Sequence, residues 1–135
     1  MSVHIKRNNI SISLEEYLTT IYKQGGETKW VKTGDIADFL GISPASVTEA
    51  VQKLAKEGYL QYFSYRGVML TKKGADIASA IAKKENDMKQ ILIMIGINYR
   101  EAEEISCLLE HKISDDALEK LKRFINDCIS KNKNY

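Results

Sequence analysis

DIADFLGISPASVTEAVQKLAKEGYL, residues 35–60, holds two short segments of helical apolar period with a glycine between them. Asp35 to Leu40 predicts a helix that turns Ile36, Ala37 and Leu40 inward, and Gly41-Ile42 then turns the chain. Ser43 has the side chain of an N-cap, and Pro44 follows at the first helical position, where its missing N–H costs nothing. The second helix is expected to bury Val47, Ala50, Val51 and Leu54 and to end near Glu57-Gly58. Two short helices joined by a tight glycine turn form a helix-turn-helix, whose second helix lies in a major groove.

Once that helix buries its apolar side, Ala45, Ser46, Thr48, Glu49, Gln52 and Lys53 are left facing outward, with Ser43 and Pro44 at the same end. These are small or hydrogen-bonding residues near a helix amino end, able to reach base edges without clash. Ala45 and the Thr48 methyl suit thymine methyls, Ser43, Ser46 and Gln52 suit bases or phosphates, and Glu49 suits a cytosine amino group. For each of them taken singly, the plain alternative is a solvated helix face.

Downstream of Gly58 the period changes from helical to extended. Tyr59 to Phe63 and Val68 to Leu70 read as strands, and Ser64-Tyr65-Arg66-Gly67 as a hairpin tip. A hairpin directly behind a helix-turn-helix is the wing of a winged helix, and Arg66 at its tip is placed for a minor groove or a phosphate. Upstream, Ser13-Leu14-Glu15-Glu16 fits a capping box, so a first helix is expected from Ser13, with Leu14, Tyr17, Leu18, Ile21 and Tyr22 on one face and a stop at Gly25-Gly26. Thr71 to Ile95 reads as one long helix with Ile77, Ile81, Met88, Leu92 and Ile95 as its stripe, followed by helices over Tyr99 to Lys112 and Ser114 to Lys131. The expected fold class is mainly α, a winged helix-turn-helix over residues 1–73 and an α-helical domain over residues 74–135.

Composition narrows the class. With 135 residues, 44% hydrophobic and 28% charged, the chain can bury a core, which excludes disorder throughout and a collagen-like fibre. No apolar run approaches the ~18 residues of a membrane span, and Met1 to Ile10 is polar and basic, so the expected location is the cytoplasm. Cys107 and Cys128 form no CxxC pair and are expected to be reduced thiols. Residues 1–75 carry ten Lys/Arg against seven Asp/Glu, whereas residues 76–135 carry ten against eleven, which favours an anionic partner for the first half.

In the second half, Ala102, Ile105, Leu108 and Leu109 occupy one arc of a helix, while Glu103, Cys107, Glu110 and His111 gather on another. Carboxylate, thiolate and imidazole at i, i+3 and i+4 spacing suit a divalent transition ion, because adjacent turns bring donors near a common point. The alternative is a charged solvated face that happens to hold a His and a buried Cys. Cys107 and His111 as nucleophile and base would be an enzyme, but no orienting group, oxyanion motif or glycine-rich loop accompanies them.

SLEEYLTTIY (13–22), DIADFLGISPASVTEAVQKLAKEGYL (35–60), YRGVMLTKKG (65–74) and LLEHKIS (108–114) resemble the diphtheria-toxin-repressor family of metal-dependent transcriptional regulators, in particular its short manganese-transport-regulator branch. The resemblance runs from Ser13 to about Ser130. It implies a homodimeric winged-helix repressor of metal-uptake genes that binds a palindromic operator, with dimerisation by the second half and a metal site between the first helix and the helices behind the wing. It also implies that the third, SH3-like domain of longer members is missing from a chain this short. Glu110 and His111 match the family's Glu-His pair, Cys107 falls where iron-type members have cysteine, and Glu16 falls where the first helix supplies a ligand. Glu85 and Glu103 stand where the family has histidines, and Thr19 replaces a first-helix carboxylate of the manganese branch. The implied cofactor is iron(II) or manganese(II), with zinc or cobalt able to bind in vitro. Two rivals remain: a metal-independent winged-helix regulator with a degenerate site, and a protein-interaction module that uses the face from Ala45 to Lys53.

Overall fold

The structure is a computed structural model that describes residues 9–110 and 112–133. In chain order it contains α1 (Asn9–Lys23), α2 (Thr33–Leu40), α3 (Pro44–Lys56), β1 (Leu60–Phe63), β2 (Gly67–Leu70), α4 (Lys72–Met94), α5 (Tyr99–Leu109) and α6 (Asp115–Lys133). Two compact units divide within α4, between Ile81 and Ala82.

In the first unit, α2 packs on α3, α3 on β1, and α1 on both α2 and β2. Its core gathers Leu18 and Ile21 from α1, Ile36 and Ala37 from α2, Val47, Val51 and Leu54 from α3, and Leu60, Val68 and Leu70 from the hairpin. The expected apolar faces of α1, α2 and α3 are the ones turned to this core, although Leu14, Tyr17, Tyr22, Leu40 and Ala50 are only half-buried. Gly41 has φ 68° and donates to the Ala37 carbonyl at 2.9 Å, a left-handed stop that lets α3 begin three residues later. The expected helix start at Ser13 is corrected: α1 already runs from Asn9, and Ser13 has helical backbone. Serine is tolerated inside a helix, so the S-x-x-E pattern permits a start without imposing one.

The wing is a two-stranded antiparallel sheet in which Leu60 faces Leu70 and Phe63 faces Gly67. Its tip is a turn closed by the Arg66 N–H on the Phe63 carbonyl at 3.0 Å, followed by Gly67 at φ 108°. Sequence reading missed a further partner. Val31 pairs with Val68 through two backbone hydrogen bonds of 2.7 and 2.8 Å, and so adds a one-residue rung to the sheet. That approach leaves no space at Gly67, where a Cβ would run into the Val31 carbonyl. Thr71 ends the hairpin: its hydroxyl donates to the Gly58 carbonyl at 2.7 Å and accepts from the Gly74 N–H at 3.3 Å, which caps α4.

In the second unit, Met88, Ile91 and Leu118 are buried, with Leu92, Leu109, Ile113 and Ile125 packed against them. Asn98 caps α5 by accepting from the Glu101 N–H at 2.9 Å, and Ser114 caps α6 by accepting from the Ala117 N–H at 3.0 Å. Two expected stripes are corrected here. Ile95 falls beyond the end of α4 and is exposed, whereas Glu85 is buried on the same side of the helix as Met88. On α5 Ala102 and Ser106 are buried and Leu109 is half-buried, whereas Leu108 is 62% exposed. The small Ser106, whose hydroxyl donates to the Glu103 carbonyl at 3.0 Å, can be buried without an unsatisfied group, and this rotates the packed face away from Leu108.

Asp87 joins α4 to α6, accepting from Lys83 at 2.9 Å and from Lys122 at 3.2 Å. Burial of this carboxylate, 21% exposed, pushes its pKa up, but the hydrogen bonds and charges of the two lysines outweigh that and hold it below the ordinary 3.8. A carboxyl with a lowered folded-state pKa adds stability above its unfolded value and loses it as the pH falls through the folded value.

Two outcomes are expected. Gly67→Ala should lower unfolding stability by about 1–3 kcal/mol in denaturant titration, since both φ and space oppose the methyl. Asp87→Asn should cost about 1 kcal/mol at neutral pH, and the gap between variant and wild type should close below pH 3.8.

Candidate functional site

The outward side of α3 is set by its inward side. With Val47, Val51 and Leu54 buried, Ala45, Ser46, Glu49, Gln52 and Lys53 are exposed and Thr48 is half-exposed, as are Ser43 and Pro44 exposed at the amino end. Ser43 is the N-cap: its Oγ accepts from the Ser46 N–H at 3.1 Å and donates to the Ser46 Oγ at 2.9 Å. Part of the hydrogen-bonding capacity of these two serines is thus spent on the helix end itself. Glu49 is near enough to α1 that its charge, after burial and Glu16, helps raise the pKa of Tyr17.

At the wing, Arg66 is exposed and its guanidinium carbon lies 5.5 Å from the ring centre of Trp30 and 6.0 Å from that of Tyr65. Phe63 completes the group, edge-on to Trp30 at 5.6 Å and 5.9 Å from Tyr65. Beside it Lys29, Trp30 and Lys32 border an open concavity of about 580 Å³. Sequence reading found Arg66 but neither ring; the chain's single tryptophan, placed one residue before Val31, was the available signal.

The metal-ligand candidates separate by burial. Glu85 and Glu110 are each 9% exposed, the two acidic residues that the fold buries among those described. Glu16, Glu103 and Cys107 are exposed, and His111 lies outside the described residues. Glu103 accepts from the Tyr99 hydroxyl at 3.5 Å, with the Lys89 ammonium at 4.0 Å. Thr19 turns its hydroxyl back onto the carbonyls of Glu15 at 2.8 Å and Glu16 at 3.2 Å, so it projects no donor outward. Among the described residues no three His, Cys, Asp or Glu side chains gather as a metal would require. Buried carboxylates offer oxygen donors of the kind that a divalent cation takes, and Glu85 and Glu110 fit such a donor set.

A winged helix with an exposed recognition helix defines the class as a DNA-binding regulator. Residues 9–68 match the iron dependent repressor N-terminal DNA binding domain, and residues 71–131 match the iron dependent repressor metal binding and dimerisation domain. The chain belongs to this family of metal-dependent transcriptional repressors. A helix-turn-helix-type transcriptional regulator of Methanocaldococcus jannaschii is 39% identical over 118 residues, 86% of this chain and 94% of its own. The regulator MntR of Geobacillus thermodenitrificans is 37% identical over 113 residues, 81% of this chain and 77% of its own. Among solved structures, the manganese regulator SloR superposes with a TM-score of 0.68 at 31% identity, over 84% of this chain and 53% of its own. These relatives are transcriptional regulators rather than enzymes, which removes the reading of Cys107 and His111 as nucleophile and base. No helix among the described residues is long and apolar enough to cross a membrane.

Because Ser43 holds the amino end of α3, Ser43→Ala should lower stability by about 1 kcal/mol in denaturant titration, while Ser43→Asn should stay close to wild type.

Proposed function

We propose that this chain represses metal-uptake genes by binding a palindromic operator as a homodimer when loaded with iron(II) or manganese(II). Residues 1–73 read DNA and residues 74–135 bind metal and dimerise. Ser43, Pro44, Ala45, Ser46, Thr48, Glu49, Gln52 and Lys53 face the major groove, and Arg66 meets the backbone or minor groove. Glu16, Glu85, Cys107, Glu110 and His111 hold the ion; Glu103, already engaged by Lys89 and Tyr99, is the least suited of the six candidates.

The observation that carries the metal assignment is the burial of Glu85 and Glu110 in a unit whose other acids, such as Asp87, reach solvent. Carboxylate donors favour manganese, while a thiolate from Cys107 draws the set toward iron(II), in keeping with a family named for iron and relatives named for manganese. When bound, the ion supplies positive charge that offsets the desolvation of those carboxylates. In a dimer, each recognition helix must meet a half-site about 34 Å from the other, so any ion that favours the correct placement strengthens both sets of contacts. Differential binding of about 1–3 kcal/mol between the two forms of the protein changes DNA affinity by about 5- to 150-fold. The rival, a metal-independent regulator, draws on the exposure of Cys107 and the engagement of Glu103.

Fluorescence anisotropy with a labelled duplex, in chelator and then in manganese or iron(II), decides between them. Wild-type affinity should rise about ten-fold or more with metal, and His111→Ala and Glu110→Gln should lose that gain together with the metal-induced rise in melting temperature. Equal affinity with and without metal would leave a DNA binder and remove the switch.

A further inference from the structure

The exposed rings of the wing are not core. Tyr65 is 80% exposed and Phe63 45% exposed, so they contribute little buried area to the fold. The Arg66 guanidinium lies 5.5 Å from the ring centre of Trp30 and 6.0 Å from that of Tyr65, the range in which an aromatic quadrupole attracts a cation. Trp30 is brought there by backbone alone: Val31 is bonded to Val68, and Val68 is two residues from Arg66. Among the described residues no carboxylate forms an ion pair with Arg66. A guanidinium held by its flat face keeps its N–H fork available at the edge, and that fork matches phosphate oxygens.

We propose that Tyr65 and Trp30 are positioning residues for Arg66, an aromatic seat that orders the guanidinium before it meets the phosphodiester backbone of duplex DNA. The proposal rests on the DNA-binding reading above. A free arginine loses rotamer freedom when it is fixed on a ligand, and a seat that restricts it beforehand lowers that loss. Tyr65 and Trp30 thereby add affinity at every sequence alike, since a phosphate contact positions the protein without reading bases.

The test uses the full chain in manganese and a duplex of about 30 base pairs, room for two half-sites one turn apart, selected by the wild type from a randomised pool. Affinities are measured across a salt series for wild type, Tyr65→Leu, Tyr65→Phe, Arg66→Ala and the double variant Tyr65→Leu/Arg66→Ala. Arg66→Ala should weaken binding and reduce the salt slope by about one. Tyr65→Leu should weaken binding about two- to five-fold, Tyr65→Phe should restore it, and Tyr65→Leu should cost nothing once Arg66 is alanine. Emission from Trp30, the single tryptophan, should change on adding the duplex to wild type and stay constant in Arg66→Ala. Equal losses from Tyr65→Leu in both backgrounds, or no loss in either, would overturn the seat. Wild-type affinity in Arg66→Ala would overturn it too and confine recognition to α3, whereas failure of the wild type to select any duplex would overturn the DNA-binding reading beneath it.

Discussion

The one-sided burial of α3 is the constraint on which the first unit depends. Val47, Val51 and Leu54 stand at i, i+4 and i+7, so placing them in the core commits Ala45, Ser46, Glu49, Gln52 and Lys53 to the outside with no further choice. The end of the helix is fixed by the same burial. The Tyr59 N–H reaches back to the Leu54 carbonyl at 3.0 Å, and the chain leaves directly into β1. The start of α4 is then tied to that exit, through Thr71 on the Gly58 carbonyl and Lys73 on the Glu57 carbonyl at 3.0 Å, with the Lys73 ammonium 4.3 Å from the Tyr59 ring centre. Recognition helix, wing and long helix are consecutive consequences of three buried side chains.

Local signals made most of this legible in the sequence. Gly41, Ser43 and Pro44 each act within one turn of the chain, and the structure uses them as their chemistry suggests. What stayed hidden was decided by partners far away. Nothing near Val31 indicates that it pairs with Val68, because a single rung has no period to detect. The start of α1 was misplaced since S-x-x-E is satisfied equally well inside a helix that continues upstream through Asn9 to Ile12. The packed line of α5 was misjudged because a period of 3.6 admits two neighbouring stripes, and the small buried Ser106 selected the one that leaves Leu108 outside.

The candidate site divides the same way. The outward residues of α3 could be found by subtraction, because a buried face determines its complement. Candidate metal ligands could not be sorted that way, since spacing over residues 103–110 gathers Glu103, Cys107 and Glu110 without saying which are enclosed. Glu85 carried no pattern of its own; only the family resemblance pointed to it, and the fold then buries it beside Met88 on an otherwise apolar stripe. The aromatic neighbours of Arg66 come from two segments more than thirty residues apart, joined by a backbone rung that no local rule anticipates.

Asp87 and Glu85, two residues apart on one helix, carry the same charge to different ends. Asp87 is near the surface and is neutralised by lysines of the chain itself, so its contribution belongs to the fold under all ordinary conditions. Glu85 and Glu110 are enclosed, and an apolar residue of similar volume at either place would often serve stability as well or better. Enclosed carboxylates make stability responsive to a cation, because an ion that binds the folded form and not the unfolded one adds to stability by mass action. On the assignment proposed above, an ion held by Glu85 and Glu110 would add to the stability of the carboxy-terminal unit in this way, and the organisation of that unit would follow the ion's concentration.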